Sequence, residues 1–407
     1  MKAVFRIKMK KLFAGLLALA VLVSLFAGCS KDTQPADPSA TTVTPTEAAA
    51  TDAPTEATHA ADLGAWRVAL LTEEGEIDDQ SVMQALYEAS ATWCGERGVA
   101  FTYYAPTETT TGRFNTMVDQ AVADGCNVLL MRGRTFVDVI KANAEKYPDV
   151  KFVIFDVTPN YFGDFVLPAN ACSAVFYEQL AGFMAGYAAV KLGYRHLGFL
   201  GGIPRDTIRY GYGFVQGVNA AAVELDVQKE VAVEFAYGNM ASPGDSAIAV
   251  YLNNMYQKKG VEICFGCGGF ISPVCEAAQK VDGAKVIGAD CDQAPVLDPV
   301  YGEGITVTSC VRNYAAAVGA VLGDTIENNR WRSHGGKAET LGVISGDDPN
   351  ANFVILAPST QFADSRFTED DYAAFVAALF GGEYTISDET VIAPTVDIAV
   401  NYYGNLD

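Results

Sequence analysis

From Arg67 onward, short apolar runs alternate with stretches whose apolar residues recur every three or four positions. The runs at 67–71, 99–104, 128–131 and 150–157 read as strands. The helices between them lie at 80–97, at 113–123 and in a segment ending at Lys146. After a long loop at 157–172, a second series begins. Helices at 177–192, 209–224, 244–258 and 271–280 alternate with strands at 196–201, 230–236, 261–266 and 284–289. The last part gives a strand at 304–309, a helix at 313–329, short strands near 341–345 and 353–357, and a helix at 368–380. Strands apolar on both faces and separated by amphipathic helices imply parallel sheets covered on both sides. Two such series predict an α/β fold of two doubly wound parallel-sheet lobes joined by a hinge. A closed barrel of eight strand–helix units fits less well, because the alternation runs past eight units and the 157–172 loop divides it. The expected first lobe is 66–176, completed by about 305–340. The second is 177–304, completed by about 341–407.

The start of the chain follows a different pattern. Lys2, Arg6, Lys8, Lys10 and Lys11 precede an uncharged apolar run from Leu12 to Leu25, which reads as a signal peptide over 1–28. The run ends in Ala27-Gly28-Cys29, which resembles a lipobox and predicts lipidation of Cys29. Two acyl chains hold a protein stably at a bilayer, so the expected location is the outer face of the cell membrane. Residues 30–64 are rich in Thr, Ala, Pro, Asp and Glu and have almost nothing large to bury, so they read as a disordered tether.

Charge narrows the partners. The chain carries −21, and cleavage before Cys29 removes five cations and no anions, leaving −26. Such a surface argues against nucleic acid and against a polybasic membrane contact. Eight cysteines follow Cys29, most of them inside apolar runs, where a thiol behaves as a small hydrophobe. Cys264 and Cys267 have redox or metal spacing, but no second ligand pair stands at a suitable distance and none of the three histidines adjoins them. No phosphate loop or Gly-x-Ser-x-Gly elbow is present, and His196 at a strand start has no evident partner. The expectation is a binding protein with no catalytic residues, no metal and no cofactor.

In open parallel sheets, ligands sit beyond the carboxyl ends of the strands. The residues there are Asp78 and Asp79 after the first strand, Phe136 after the third and Asp156 at the end of the fourth. In the second series they are Phe265, the Gly268-Gly269-Phe270 turn, Asp290 and Arg312. Carboxylates there can accept paired hydrogen bonds from diols, and glycines admit close backbone approach. Each has a plainer reading. Asp78 and Asp79 can cap the following helix, Phe136 and Phe270 can be core, and Arg312 can be a solvated cation at a helix start.

The order of these motifs resembles the basic membrane protein family. The resemblance rests on Ile77 to Ser81, Tyr147 to Phe152 followed by Asp156, and Glu178 with Ala181 to Tyr187. It continues through Leu200-Gly201-Gly202, Gly213 to Gly217, Gly268-Gly269, Gly288 to Gln293 and Thr308 to Asn313. It covers about 66–330 and implies a lipoprotein that binds a solute for an ABC transporter permease. Purine nucleoside receptors typify the family. The implied fold is that of type I periplasmic binding proteins. It also implies ligand contacts from Asp156, the Gly-Gly turn, Asp290 and the basic position occupied here by Arg312, commonly Lys in the family. Where the family often continues Phe-Asn after the first motif, this chain has Val82-Met83, so the stacking face for a base is replaced. A receptor that presents its solute to a sensor kinase is the alternative use of the same fold.

Overall fold

The computed structural model describes residues 62–73, 77, 82–202, 204–238 and 246–406. The leader, Cys29, the tether up to 61, Asp78 and Asp79 lie outside them. Thirteen strands are described: β1 (Arg67–Leu71), β2 (Ala100–Tyr104), β3 (Val128–Arg132), β4 (Lys151–Phe155), β5 (Ala171–Phe176), β6 (His196–Gly201), β7 (Ala232–Gly238), β8 (Ile263–Gly266), β9 (Lys285–Asp290), β10 (Thr306–Arg312), β11 (Ala338–Leu341), β12 (Val354–Leu356) and β13 (Ala399–Leu406). The helices are α1 (Val82–Arg97), α2 (Thr111–Ala123), α3 (Val137–Asn143), α4 (Glu178–Lys191), α5 (Pro204–Glu224), α6 (Ser246–Gln257), α7 (Ile271–Ala278), α8 (Ala294–Tyr301), α9 (Tyr314–Leu322) and α10 (Glu369–Phe380). None of the described helices is long and apolar enough to cross a membrane.

The strands form two sheets, in the orders β2-β1-β3-β4-β5-β11 and β13-β7-β6-β8-β9-β10-β12. Every pairing is parallel except β10 with β12. The doubly wound, two-lobed α/β fold expected from the pattern is therefore present. Its cause is visible in single strands. Val68 and Leu70 of β1 enter a core that runs through both lobes, while Ala69 and Leu71 enter a separate core on the outer face of the first sheet. In β3, Val128 and Leu130 do the first and Leu129 and Met131 the second. A strand buried on both faces has no polar side to reveal its period.

The division between lobes differs from expectation in one place. The stretch 305–340 was assigned to the first lobe, but β10 pairs with β9 and β12 in the second sheet. Its residues are buried along nearly all its length, which needs a neighbour on each side. The chain crosses between sheets after Phe176, again after Arg312, and a third time between β11 and β12. Asn313 ties two of these crossings together, its amide donating to the carbonyls of Asn350 and Asn352.

Helices α4 and α5 meet without side chains between them. A Cβ on Gly182 would lie 2.0 Å from the Tyr210 carbonyl, and one on Gly213 2.0 Å from the Gln179 carbonyl. Each interior glycine costs about 1 kcal/mol of helix propensity against Ala. Here it allows backbone contact that brings the start of α4, Glu178, against Tyr210 of α5. Three elements escaped the pattern. β5 is built of small residues, α8 contains Pro295 and Pro299, and β13 is an edge strand whose side chains are mostly exposed.

Candidate functional site

The first five strands of each sheet follow the same order, so β4 and β9 are equivalent. Each ends in an aspartate with left-handed backbone, Asp156 at φ 62° and Asp290 at φ 72°. Such a conformation is strained for any residue with a Cβ, although aspartate tolerates it better than most, and it concentrates at functional positions. The two carboxylates come from different lobes and converge on one side chain. Arg312 Nη1 lies 2.8 Å from Asp156 Oδ1, and Arg312 Nε lies 2.8 Å from Asp290 Oδ1.

Arg312 ends β10 at the second crossing and is 8% exposed. It also reaches Glu178 Oε1 at 3.1 Å, and its Nε donates to the Tyr210 hydroxyl at 2.7 Å. Tyr210 in turn donates to Asp290 at 2.7 Å. On the other side, Arg132 Nε and the Tyr314 hydroxyl both donate to Asp156 Oδ2, at 2.6 Å each. Three carboxylates therefore share two guanidinium groups and two phenols. Burial works to raise the Asp156 carboxyl, but Arg312, Arg132 and Tyr314 hold it below its usual range. Glu178 goes the other way. Burial, with Asp156 and Asp290 adding repulsion, pushes it up to about 7 against the pull of Arg312.

Asp156, Asp290 and Arg312, proposed from sequence position alone, are thus brought together. Arg132, Tyr210 and Tyr314 were missed, and Glu178 was quoted only as part of a motif. A charged residue closing an apolar strand, as Arg132 does, was the available signal. The three phenylalanines correct the sequence reading. Phe136 is fully buried against Phe114, with ring centroids 4.9 Å apart. Phe265 is fully buried among Phe199, Tyr210 and Phe214, and Phe270 is buried against Gly238. Phe136 and Phe270 follow strands and Phe265 lies within β8, but all three are fully buried, so none offers a ring to a solute. Gly268 and Gly269, at φ 61° and 89°, form a turn packed against Thr207 and Gly202. Met83 is core and Val82 is packed beside it.

A cavity of about 810 Å³ opens beside the cluster. Arg132, Asp156, Glu178 and Arg312 form its charged floor, and Glu73, Arg134, Tyr161, Ile208 and Arg209 are among the residues around it. The seven buried cysteines are free thiols, and burial pushes those of Cys94 and Cys275 up to about 12. Among the described residues no group of His, Cys, Asp or Glu could hold a metal ion.

Two lobes crossed by the chain three times, with charged groups from both converging between the carboxyl ends of their strands, have the architecture of type I periplasmic binding proteins. The chain belongs to the Bmp family, described as "ABC transporter substrate-binding protein PnrA-like", whose model matches residues 66–359. Basic membrane protein A of Borreliella burgdorferi is 28% identical over 224 residues, 54% of this chain and 61% of that protein. Transcriptional activator protein med of Bacillus subtilis is 25% identical over 191 residues, 46% of this chain and 53% of that one. The chain thus spans about three fifths or less of these relatives' length. Among solved structures, an ABC transporter solute-binding protein from Conexibacter woesei superposes with TM-score 0.61 at 18% identity, over 79% of this chain and 99% of that one. A transcriptional activator of the comK gene from Bacillus halodurans gives 0.58 at 19% identity, over 79% and 100%. The family is one of substrate-binding proteins, not enzymes.

Proposed function

We propose that this protein captures a nucleoside or related ribose-bearing solute between its lobes and delivers it to an ABC transporter permease. In this reading Cys29 carries the lipid that keeps the protein on the outer face of the membrane. The observation that carries the proposal is the convergence of Asp156 from one lobe and Asp290 and Glu178 from the other on Arg312. Carboxylates accept from vicinal hydroxyls and a guanidinium fork donates in a plane, the pairing a ribose diol requires. Tyr161 and Ile208 supply the apolar surface for the base, in place of the stacking pair replaced by Val82 and Met83. Asp78, Asp79 and the Gly268-Gly269 turn remain candidate contacts in the same reading.

Calorimetry with adenosine, guanosine, inosine and ribose tests it on the parent and on Asp290→Ala. Removing one member of a desolvated charged pair costs about 2–5 kcal/mol, so affinity should fall at least about 30-fold. Unchanged binding by the variant, or no nucleoside bound more tightly than millimolar, overturns the nucleoside assignment. Anchoring is tested separately: Cys29→Ala should move from the membrane to the soluble fraction, and a variant as firmly bound as the parent rules out this anchor. A solute-sensing receptor that feeds a kinase is the second reading of the same two-lobed fold. Co-purification with a permease rather than a kinase separates the two.

A further inference from the structure

The floor of the cavity is internally paired, but its walls are not. Arg134, in the turn after β3, is exposed, and Arg209, in the second turn of α5, is half-buried. Neither makes a hydrogen bond or close ion pair with a described residue, although Arg209 is near enough to Glu178 to act on its charge, whereas Arg132 and Arg312 are both directly paired. One comes from each lobe and both line the same cavity. A guanidinium does not give up its hydration cheaply, so a half-buried, unpaired one is a binding group awaiting an acceptor.

The balance of charge sharpens this. In a chain of net −21, the described residues of the cavity lining carry four arginines against Glu73, Asp156 and Glu178. With Glu178 pushed up to about 7, these described residues sum to one to two positive charges at neutral pH. A neutral nucleoside would leave Arg134 and Arg209 unused. We infer that the ligand bears an anionic group, a phosphate or a carboxylate, held between Arg134 of one lobe and Arg209 of the other. The inference rests on the cavity being the binding site, and it makes the pair of arginines the selectors of charge. Closing the lobes on such a group joins them through the ligand, with each fork able to donate two parallel hydrogen bonds.

The test is a thermal-shift and calorimetry panel on the full folded chain. It comprises inosine, guanosine, their 5′-monophosphates, ribose, ribose 5-phosphate, glucuronate and spermidine. The parent should bind a phosphorylated or carboxylated member at least tenfold more tightly than its neutral counterpart, with affinity falling as salt rises. In Arg209→Gln and Arg134→Gln that margin should shrink by about 10- to 100-fold. Arg134 is exposed, so its variant carries the test if the Arg209 variant does not fold. Ribose 5-phosphate or glucuronate binding while no nucleoside or nucleotide does would uphold this inference and end the nucleoside assignment. A neutral nucleoside bound as tightly as its monophosphate would end the inference and leave the nucleoside assignment standing. Binding of spermidine alone, or no anion bound, also overturns it.

Discussion

The second lobe holds two glutamates whose surroundings drive them in opposite directions. Glu234 of β7 lies near the amino ends of the strands and is 3% exposed. Lys259 at 2.6 Å, Asn401 at 3.0 Å and Tyr403 at 2.5 Å all donate to it, and His196 lies 3.2 Å away. Burial alone would raise it, but these groups bring it down to about 2. Glu178, at the carboxyl ends, is pushed up to about 7 by burial and by two aspartates with which it shares its ion-pair partner, Arg312, against the pull of Arg312 and Arg209. Burial pushes both upward, most strongly at Glu178, and the partners decide whether it is overcome. One acid among four partners is a finished structural network, which pins the last strand, β13, to the sheet. Three acids around two guanidinium groups are left incompletely satisfied. Polar groups poised in that way belong where a solute will complete the set.

The comparison breaks most sharply at Arg312. Arg312→Ala leaves three partly buried carboxylates facing one another, and losing one side of a buried ion pair costs about 3–5 kcal/mol. Urea denaturation at pH 7.5 should show this loss, with ligand binding abolished in the same variant. A stability within 1 kcal/mol of the parent would mean that the cluster is solvated rather than buried. Glu234→Gln comes next. A folded-state value below the usual 4.5 means stability is present above about 4.5 and lost as pH falls through about 2. The whole shift corresponds to about 3 kcal/mol, trimmed toward 2 because Lys259 is 39% exposed and screened. The variant should lose that amount at pH 7, bind ligand as the parent does, and show a weaker dependence on acid. Impaired binding would place the Glu234 network in the site after all.

Much of this architecture was legible from the chain. Apolar strand runs and helix periods named both series, because buried parallel strands must be apolar and their covering helices amphipathic. What eluded the pattern has physical causes. β5 opens with Ala-Cys-Ser-Ala, and such small residues carry little hydrophobic signal. β13 lies at an edge, so its alternation is diluted by exposed tyrosines. The site divides the same way. Aspartates at strand ends are conspicuous, and Asp156, Asp290 and Arg312 were found from position. Rings at strand ends were over-read. Phe265 lies within β8, and Phe136 and Phe270 follow strands, where a turn can send a side chain back into the core as readily as outward. Glu178 and Tyr210 depend on how closely α4 approaches α5. That distance is set by the glycines at 182, 186, 213 and 217, which had been read as motif and not as a contact face.

The smallest predicted effect concerns Glu178 and has the most specific signature. Its folded-state value, about 7, stands above the ordinary 4.5, so the native protein keeps a proton that the unfolded chain has released. Its contribution to stability is complete below about 4.5 and is lost as pH rises through about 7, the reverse of Glu234. Between pH 5.5 and 7.5 the linkage amounts to about 2 kcal/mol. Glu178→Gln cannot ionise and should escape that decline. The stability difference between variant and parent should therefore move by about 2 kcal/mol in the variant's favour across this interval, in parallel urea titrations at 5.5, 6.5 and 7.5. Over the same interval the difference for Glu234→Gln should stay flat, since its titration lies far below. A flat Glu178→Gln difference would mean that Glu178 is hydrated in the folded protein and that neither burial nor Asp156 and Asp290 raises it. The contrast between a completed network and an unfinished one would then fail at its centre.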